Sequence, residues 1–341
     1  MGNLLKYVIP LIISIGLCYL LFTGIDFHEM VSIIRDQCDF RWIGLALCIS
    51  VFSHVCRAYR WRIQLQAIGV NAPIHALIFS IFGTYAVNLV FPRLGEVWRT
   101  GYIAQRQDAP FTAVFGSMVA DRLADTVTVL LLTVVTFLLA SKAILVFLSE
   151  NGESYAAIGR LLASPWLWGT ALACVALFWW FMTRKSSNKA VVKIQTAVRE
   201  LWQGFAVVAR MPGKGRWLLW TAGIWGCYFT QLYVCFYAFP FTTEILAQHG
   251  ILAALVTFVI SSISMGVPSN GGIGPWQWSV IFALGIYGLD RASAGAFANL
   301  VLGCQTLLLI LLGIITFIGI ALDRKHIRGN MTTNISNTNK V

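Results

Sequence analysis

Long apolar stretches constrain this sequence more than any other feature. Charged residues make up only 11% of the 341-residue chain, against about 25% in a typical soluble domain. An α-helix crosses a bilayer with roughly 20 apolar residues, and eight stretches approach or exceed that length. The sequence therefore predicts an all-α polytopic membrane protein. The eight stretches are 5–22, 42–59, 74–91, 112–140, 161–182, 217–239, 250–267 and 293–321.

Lysine and arginine are concentrated in a few segments between these stretches. The segment 184–216 contains eight basic residues and one acid, Glu200, and basic residues recur from Arg324 onward. Cytoplasmic loops carry such an excess, so we expect 184–216 and both termini on the cytoplasmic side. The net charge of +11 thus lies beside the membrane. There it suits orientation and attraction to anionic lipids better than binding of nucleic acid.

Eight simple spans conflict with this charge distribution. The conflict disappears when 74–107 enters from the cytoplasm, turns within the membrane and returns, and when 250–290 does the same from outside. We therefore expect about six full spans and two oppositely oriented re-entrant hairpins, arranged like an inverted repeat. In this prediction residues 1–325 form a single integral membrane domain, and residues 326–341 form a polar tail.

Each predicted hairpin has a chain break at its tip. Residues 91–96 read FPRLGE, and residues 265–278 read MGVPSNGGIGPWQW. Irregular backbone at membrane depth is tolerated only where it is buried in protein or lines a polar cavity. Apolar segments interrupted by Gly and Pro in both halves of a chain indicate a transporter-type binding site near the middle of the bilayer.

Three groups of charged residues lie at or near membrane depth, where an ionisable side chain is by default a functional candidate. Behind the first break, Glu96 and Arg99 share a helical face. The second group either faces a ligand or forms a structural ion pair with the first hairpin. The third is typical of snorkelling side chains that set orientation. The groups are Arg93, Glu96 and Arg99; Asp121, Arg122 and Asp125; and Arg57, Arg60 and Arg62.

These residue types favour binding of an anion. Arginine presents a planar fork of N–H donors that matches phosphate, and a helix start adds free backbone N–H groups. The second break lacks arginine but offers Asn270, Gly271, Gly272 and Gly274, and glycine lets backbone N–H groups approach a ligand closely. A close contact between helices explains the same glycines equally well.

Other kinds of site are not indicated. The five histidines have no metal-ligand spacing, and the eight cysteines include no Cys-x-x-Cys pair. The chain has no obvious nucleophile–base pair, although Glu96 and Asp121 could serve as acid and base of an intramembrane enzyme. We expect no metal, no cofactor and no catalytic residues.

The motifs together resemble one family. FPRLGEVWR, DRLADTVTVLLL and VPSNGGIGPWQW are similar, in order and spacing, to three motifs of the lysylphosphatidylglycerol synthase transmembrane family. That family includes the flippase half of the multiple peptide resistance factors. The resemblance covers nearly the whole chain. It implies an integral domain of a bacterial-type inner membrane, with re-entrant elements, that moves polar lipids between leaflets.

The resemblance also assigns residues to a lipid headgroup site. Gln277 stands where many members carry Glu, which argues against a cationic lysyl headgroup. We expect a stand-alone member without the soluble aminoacyl-transferase domain of the two-part members. The residues that match the family motifs are Pro92, Arg93, Gly95, Glu96 and Arg99; Asp121, Arg122 and Asp125; and Gly271, Gly272 and Gly274. Asn270 and Gln277 complete the expected site.

Two functions fit these observations best. The first is a translocase or lipid-binding transporter for an anionic headgroup, either of a phospholipid or of a prenyl-phosphate-linked lipid. The alternative is a non-catalytic accessory subunit that positions an envelope glycosyltransferase or a lipid-modifying enzyme, with 184–216 as its docking surface. A translocase moves lipid alone, whereas a subunit acts only with its partner enzyme.

Overall fold

The structure is a computed structural model of the chain. It describes residues 27–91, 93–150, 164–184, 191–192, 195, 211–267 and 269–338, which are helical with short connections and include no β-strand. The predicted first span at 5–22 and most of the basic segment 184–216 lie outside the described residues. The predicted all-α membrane architecture is confirmed.

Eleven α-helices account for most of the described residues. A short 3₁₀ turn, Phe236–Ala238, separates the seventh from the eighth. The helices are α1 Phe27–Gln37, α2 Phe40–Ala67, α3 Ile74–Val90, α4 Leu94–Arg106, α5 Phe111–Glu150, α6 Pro165–Thr183, α7 Lys214–Cys235, α8 Pro240–His249, α9 Ile251–Ser264, α10 Pro275–Gly285 and α11 Arg291–Thr338.

Three of the described helices are long and apolar enough to cross a membrane. They are α2, the Phe111–Ser141 part of α5 and the Arg291–Leu322 part of α11. A fourth crossing results if α8 and α9 count as one span, although the pair is bent by 111°. The total of six full spans stays a prediction.

Both predicted chain breaks are present in the structure. The first separates α3 from α4, and the second, at residues 265–274, separates α9 from α10. The two helices of each pair pack against each other, so we name the pairs hairpin one (Ile74–Arg106) and hairpin two (Ile251–Gly285). Their re-entrant course through the membrane stays a prediction.

Glycine allows the helices of hairpin one to pack closely. A Cβ atom at Gly95 would lie 2.1 Å from the carbonyl oxygen of Thr84, and one at Gly83 would lie 2.3 Å from the ring of Trp98. Helices in membranes associate through such close packing, because lipid tails are as apolar as leucine. The position of α4 against α3 therefore depends on these glycines.

The buried apolar residues of the described helices fall into two large clusters. One surrounds hairpin two and is centred on Phe236, Phe239 and Phe297. The other surrounds hairpin one and is centred on Trp61 and Leu77. Hairpin one is thus packed against α2 and the start of α5, and these helices supply the charged side chains described next.

Candidate functional site

Charged side chains from three helices converge in the interior of the protein. We call this group the ionic cluster. In the described residues it holds four guanidinium groups and three carboxylates, so it carries one net positive charge. Its members are Arg57 and Arg60 from α2, Glu96 and Arg99 from α4, and Asp121, Arg122 and Asp125 from α5.

Asp121 lies at the centre of the ionic cluster. Its carboxylate is 2.6 Å from Nη2 of Arg60 and 3.3 Å from both Nη1 of Arg57 and Nη2 of Arg99. The side chains of Asp121, Arg60 and Arg99 are fully buried. One carboxylate therefore joins three arginines away from water, where charge interactions are much stronger than at a surface.

The other two carboxylates extend the ionic cluster on either side. Asp125 accepts from Arg57 at 2.7 Å and lies 2.8 Å from Nη2 of Arg60. Glu96 pairs with Arg122 at 2.8 Å. The Asn88 amide, at the end of α3, donates to Glu96 at 3.1 Å and accepts from the Gly95 N–H at 2.8 Å. The Glu96–Arg122 ion pair thus joins hairpin one to α5 just behind the break.

Several guanidinium nitrogens keep unused hydrogen-bonding capacity. Within the described residues, Nε and Nη1 of Arg99, Nη1 of Arg60 and Nε of Arg57 have no hydrogen-bond partner. Arg99 lies 4.4 Å above the ring of Trp61, which offsets part of that deficit by a cation–π contact. An anion bound here would accept hydrogen bonds from these buried N–H groups and would neutralise the net positive charge.

The two arginines of α2 belong to a buried polar stripe along that helix. Apart from the adjacent Ser53 and His54, its members are three or four residues apart, so they share one face, and all are at most 3% exposed. From first to last they span about 21 Å of helix, at 1.5 Å per residue. They are Ser50, Ser53, His54, Arg57, Arg60 and Gln64.

The stripe has a charged part and a neutral part. Arg57 donates to the Tyr228 hydroxyl at 3.3 Å, which lies 3.3 Å from the Tyr85 hydroxyl. Beyond them, Gln305 donates to Ser50 at 2.9 Å and accepts from Gln231 at 2.9 Å. Neutral groups from α2, α3, α7 and α11 therefore continue the polar path away from the ionic cluster.

The structure brings five of the predicted site residues together. Glu96, Arg99, Asp121, Arg122 and Asp125 all belong to the ionic cluster. The predicted ion pair between α5 and hairpin one is also present, between Arg122 and Glu96.

The expectation that the arginines of α2 snorkel is wrong for Arg57 and Arg60. They are 2% and 0% exposed, because Asp121 and Asp125 neutralise them in the interior. Their spacing with Ser50, Ser53 and Gln64 on one face was the sequence signal that a polar core lies here.

Arg93 lies apart from the ionic cluster. It is exposed and occupies the left-handed region, with φ at 64°, immediately before α4. Its Nη2 atom donates to the carbonyl oxygen of Gly266 at 2.8 Å. Arg93 therefore joins the tips of the two hairpins, and its assignment to the headgroup site stays a prediction.

Backbone conformation and close packing explain why glycine occupies positions in the second break. Gly271, Gly272 and Gly274 have φ angles of 63°, 89° and 92°, which favour glycine. A Cβ atom at Gly271 would lie 2.6 Å from Cδ2 of Leu89 in hairpin one. The close-contact interpretation thus holds for Gly271. Asn270 belongs to the same tip, where its carbonyl accepts from the Ile273 N–H at 3.1 Å.

Gln277 is bonded within the protein. Its side-chain oxygen accepts from the Gly274 N–H at 2.9 Å, and its amide donates to the side chain of Asn299 in α11. The residue is 7% exposed. Gln277 therefore fixes the start of α10, and a headgroup role for it stays a prediction. In the part of the chain that the structure describes, no group of three or more His, Cys, Asp or Glu residues could hold a metal ion.

Hairpin one, packed with α2 and α5 around a largely buried group of charges, defines the protein as a helical membrane protein with an internal polar site. Comparison with known families identifies it further. The family described as "Lysylphosphatidylglycerol synthase TM region" matches residues 7–313. The chain belongs to this family, and the predicted family membership is confirmed.

One curated relative shows a shorter similarity. The glycosyltransferase AglD of Haloferax volcanii is 31% identical over 106 residues, which make up 31% of this chain and 17% of the relative. The match thus spans less than a fifth of that protein's length. No solved structure matches the chain.

Proposed function

We propose that the ionic cluster binds the anionic headgroup of a membrane lipid and that the protein moves such lipids between leaflets. One observation carries this proposal. The buried Arg57, Arg60 and Arg99 face two carboxylates, Asp121 and Asp125, so one positive charge is uncompensated, and several of their N–H groups have no partner in the described residues. An uncompensated buried charge is costly, and a singly charged phosphodiester would neutralise it.

Arg99 is the residue best placed to exchange a carboxylate for a phosphate. Among the described residues it contacts one carboxylate, that of Asp121 at 3.3 Å, whereas Arg57 and Arg60 each contact two. Its Nε and Nη1 have no hydrogen-bond partner in the described residues. A phosphate that replaced Asp121 at Nη2 would meet Nε and Nη2 side by side, a fork that matches two phosphate oxygens. The headgroup therefore binds Arg99 first, while Asp121 stays with Arg60.

A lipid fits this site better than a soluble anion. Five of the seven charged side chains project from α2 and α5, both of which are apolar enough to cross the bilayer, and Glu96 and Arg99 reach them from α4. The outward side chains of α5 include Leu130, Leu131 and Leu138, which are at least 60% exposed. An amphiphile can place its phosphate among the arginines while its tails stay in the surrounding hydrocarbon. Membership in the family supports a lipid-related role.

The similarity to AglD favours one second candidate. That relative is named a glycosyltransferase, and the shared segment fits an accessory domain that presents a prenyl-phosphate-linked lipid to such an enzyme. In both proposals the domain is non-catalytic, lies in a bacterial-type inner membrane and has cytoplasmic termini. In both, the basic segment 184–216 faces anionic lipid or the partner enzyme.

Purified protein in proteoliposomes tests the proposal. We expect the wild-type protein to move a labelled phosphatidylglycerol between leaflets, Arg99→Lys to do so more slowly because the fork is lost, and Arg99→Ala to be inactive. Arg106→Ala is the matched control, since Arg106 lies on the same helix and contacts His75 at the surface. Unchanged movement in folded Arg99→Ala contradicts the proposal. A wild-type protein that moves no lipid but copurifies with a glycosyltransferase favours the accessory subunit.

A further inference from the structure

A buried histidine borders the ionic cluster without being part of it. His54 is 3% exposed, and its ring packs 4.5 Å from the Tyr85 ring and 6.1 Å from the Phe82 ring. Among the described residues, neither of its ring nitrogens has a hydrogen-bond partner. Buried polar groups in folded proteins are nearly always hydrogen-bonded, so His54 is a polar group that awaits a partner.

The surroundings of His54 favour its neutral form. Arg57 lies one turn further along α2, about 4.5 Å of helix rise away, and its charge opposes a second cation. Tyr85 on α3 faces the imidazole, and Tyr228 on α7 bonds both Tyr85 and Arg57. The carboxylate that neutralises Arg57, Asp125, is bonded to it at 2.7 Å. A neutral imidazole offers one N–H donor and one nitrogen acceptor.

A headgroup with two hydroxyl groups satisfies both nitrogens, because one hydroxyl can accept from the ring N–H while the other donates to the second ring nitrogen. A cationic group would be repelled by Arg57, and a bare phosphate would leave the imidazole nitrogen acceptor unpaired. The neutral side chains of Ser50 and Gln305, beyond His54, extend the same chemistry along the α2 stripe. The order along α2 is therefore a phosphate-binding part followed by a part suited to hydroxyl groups.

We propose that His54 recognises hydroxyl groups on an uncharged headgroup attached to the phosphate. The substrate class is then a phosphodiester lipid with one negative charge and a polyol or sugar headgroup. This inference rests on the proposed function, since the phosphate must bind the ionic cluster for the hydroxyl groups to reach His54. A small number of precisely placed polar groups is enough to set the orientation and the specificity of a ligand in a binding site.

Two lipids of equal charge test the role of His54. Phosphatidylglycerol and phosphatidylpropanol have the same phosphodiester and the same three-carbon headgroup, but only the first has free hydroxyl groups. We expect the purified wild-type protein to bind phosphatidylglycerol roughly tenfold more tightly, the size expected from one or two added hydrogen bonds. Phosphatidylinositol, with a cyclic polyol, distinguishes a glycerol headgroup from a sugar-like one by whether it binds more tightly than phosphatidylglycerol.

The variant His54→Phe keeps a ring against Tyr85 and removes both nitrogens. It should lose the preference for phosphatidylglycerol while its affinity for phosphatidylpropanol stays that of the wild type. His75→Phe is the matched control, since His75 is an exposed histidine of α3, and it should keep the preference.

Three results overturn the inference. They are equal wild-type affinity for both lipids, an unchanged preference in His54→Phe, and an equal loss of both affinities in that variant. Failure of the proposed function looks different, because neither lipid would then bind to the wild-type protein and Arg99→Ala would change nothing.

Discussion

The two hairpins have the same helix–break–helix organisation and differ in the partners that bond their polar side chains. Each consists of two packed helices around a break that contains proline, with glycine within the break in hairpin two and just behind it, at Gly95, in hairpin one. The polar side chains of hairpin one, above all Glu96 and Arg99, find partners on α5. The chief polar side chain of hairpin two, Gln277, is bonded to its own Gly274 and to Asn299.

This difference indicates separate roles for hairpin one and hairpin two. The charges of hairpin one depend on side chains of other helices, so their arrangement can change when those helices or a ligand move. Hairpin two instead presents a glycine-rich tip that fits against Leu89 and Arg93 of hairpin one. We therefore expect substitutions in the ionic cluster to affect stability and lipid binding together, and substitutions at the second tip to affect stability alone.

The largest effect is expected from Asp121→Asn. The substitution leaves the buried guanidinium groups of Arg57, Arg60 and Arg99 without their shared carboxylate. Breaking a buried ion pair costs about 3–5 kcal/mol of the free energy of unfolding. Thermal unfolding in detergent measures the change, and Asp108→Asn, at an exposed position, is the control. A fall in stability no larger than that of the control contradicts a central role for Asp121.

A smaller effect is expected from Gly95→Ala in hairpin one. The added methyl group would meet the Thr84 carbonyl and the Asn88 side chain, and such overpacking costs about 2 kcal/mol. The same change at Gly101 in the same helix meets nothing within 4 Å in the described part of the chain. It should be neutral or stabilising, because alanine favours helix. Equal thermal stability of the two variants would show that α3 and α4 do not pack as closely as described.

Hairpin two provides the next test through Gln277→Ala. This variant leaves the buried Gly274 N–H without its acceptor, at a cost of about 1 kcal/mol. Lipid binding should match that of the wild type, because the ionic cluster is unchanged. Gln248→Ala, at an exposed glutamine of α8, controls for loss of an amide. A loss of lipid affinity in Gln277→Ala would place the headgroup at the second tip and remove the distinction between the hairpins.

The smallest effect is expected at Arg93, which joins the two tips. Its bond to Gly266 is exposed, and exposed contacts of this kind contribute under about 1 kcal/mol. Arg93→Gly should be more stable than Arg93→Ala, since both lose the bond but glycine accepts the left-handed backbone at this position. The difference in melting temperature between these two variants is the measurement, and Arg93→Ala as the more stable of the two would contradict the description of this tip.

Much of the architecture was predictable from the sequence. The apolar stretches predicted helices, and the Pro–Gly clusters predicted both breaks, because these residue types act through local backbone and solvent preferences. The spacing of Glu96 with Arg99, and of Asp121 with Asp125, placed each pair on one helical face. Five residues of the ionic cluster were therefore identifiable without coordinates.

The remaining members depend on contacts between distant segments. Arg57 and Arg60 look like interfacial residues in isolation, and only the approach of α5 supplies the carboxylates that allow them to be buried. His54 became a candidate only when the structure showed both ring nitrogens buried without a partner in the described residues. The partner of Gln277 is Asn299, 22 residues further along the chain, and no local pattern predicts that bond.

Native mass spectrometry of the lipid that copurifies with the protein tests the central claim most directly. The wild-type protein and Arg106→Ala should each retain a singly charged phosphodiester lipid, whereas Arg99→Ala, purified in the same detergent and equally folded, should lose it. This result would place the headgroup at the ionic cluster. Retention of the same lipid by Arg99→Ala at the wild-type level would contradict the claim and leave the cluster as a purely structural set of ion pairs.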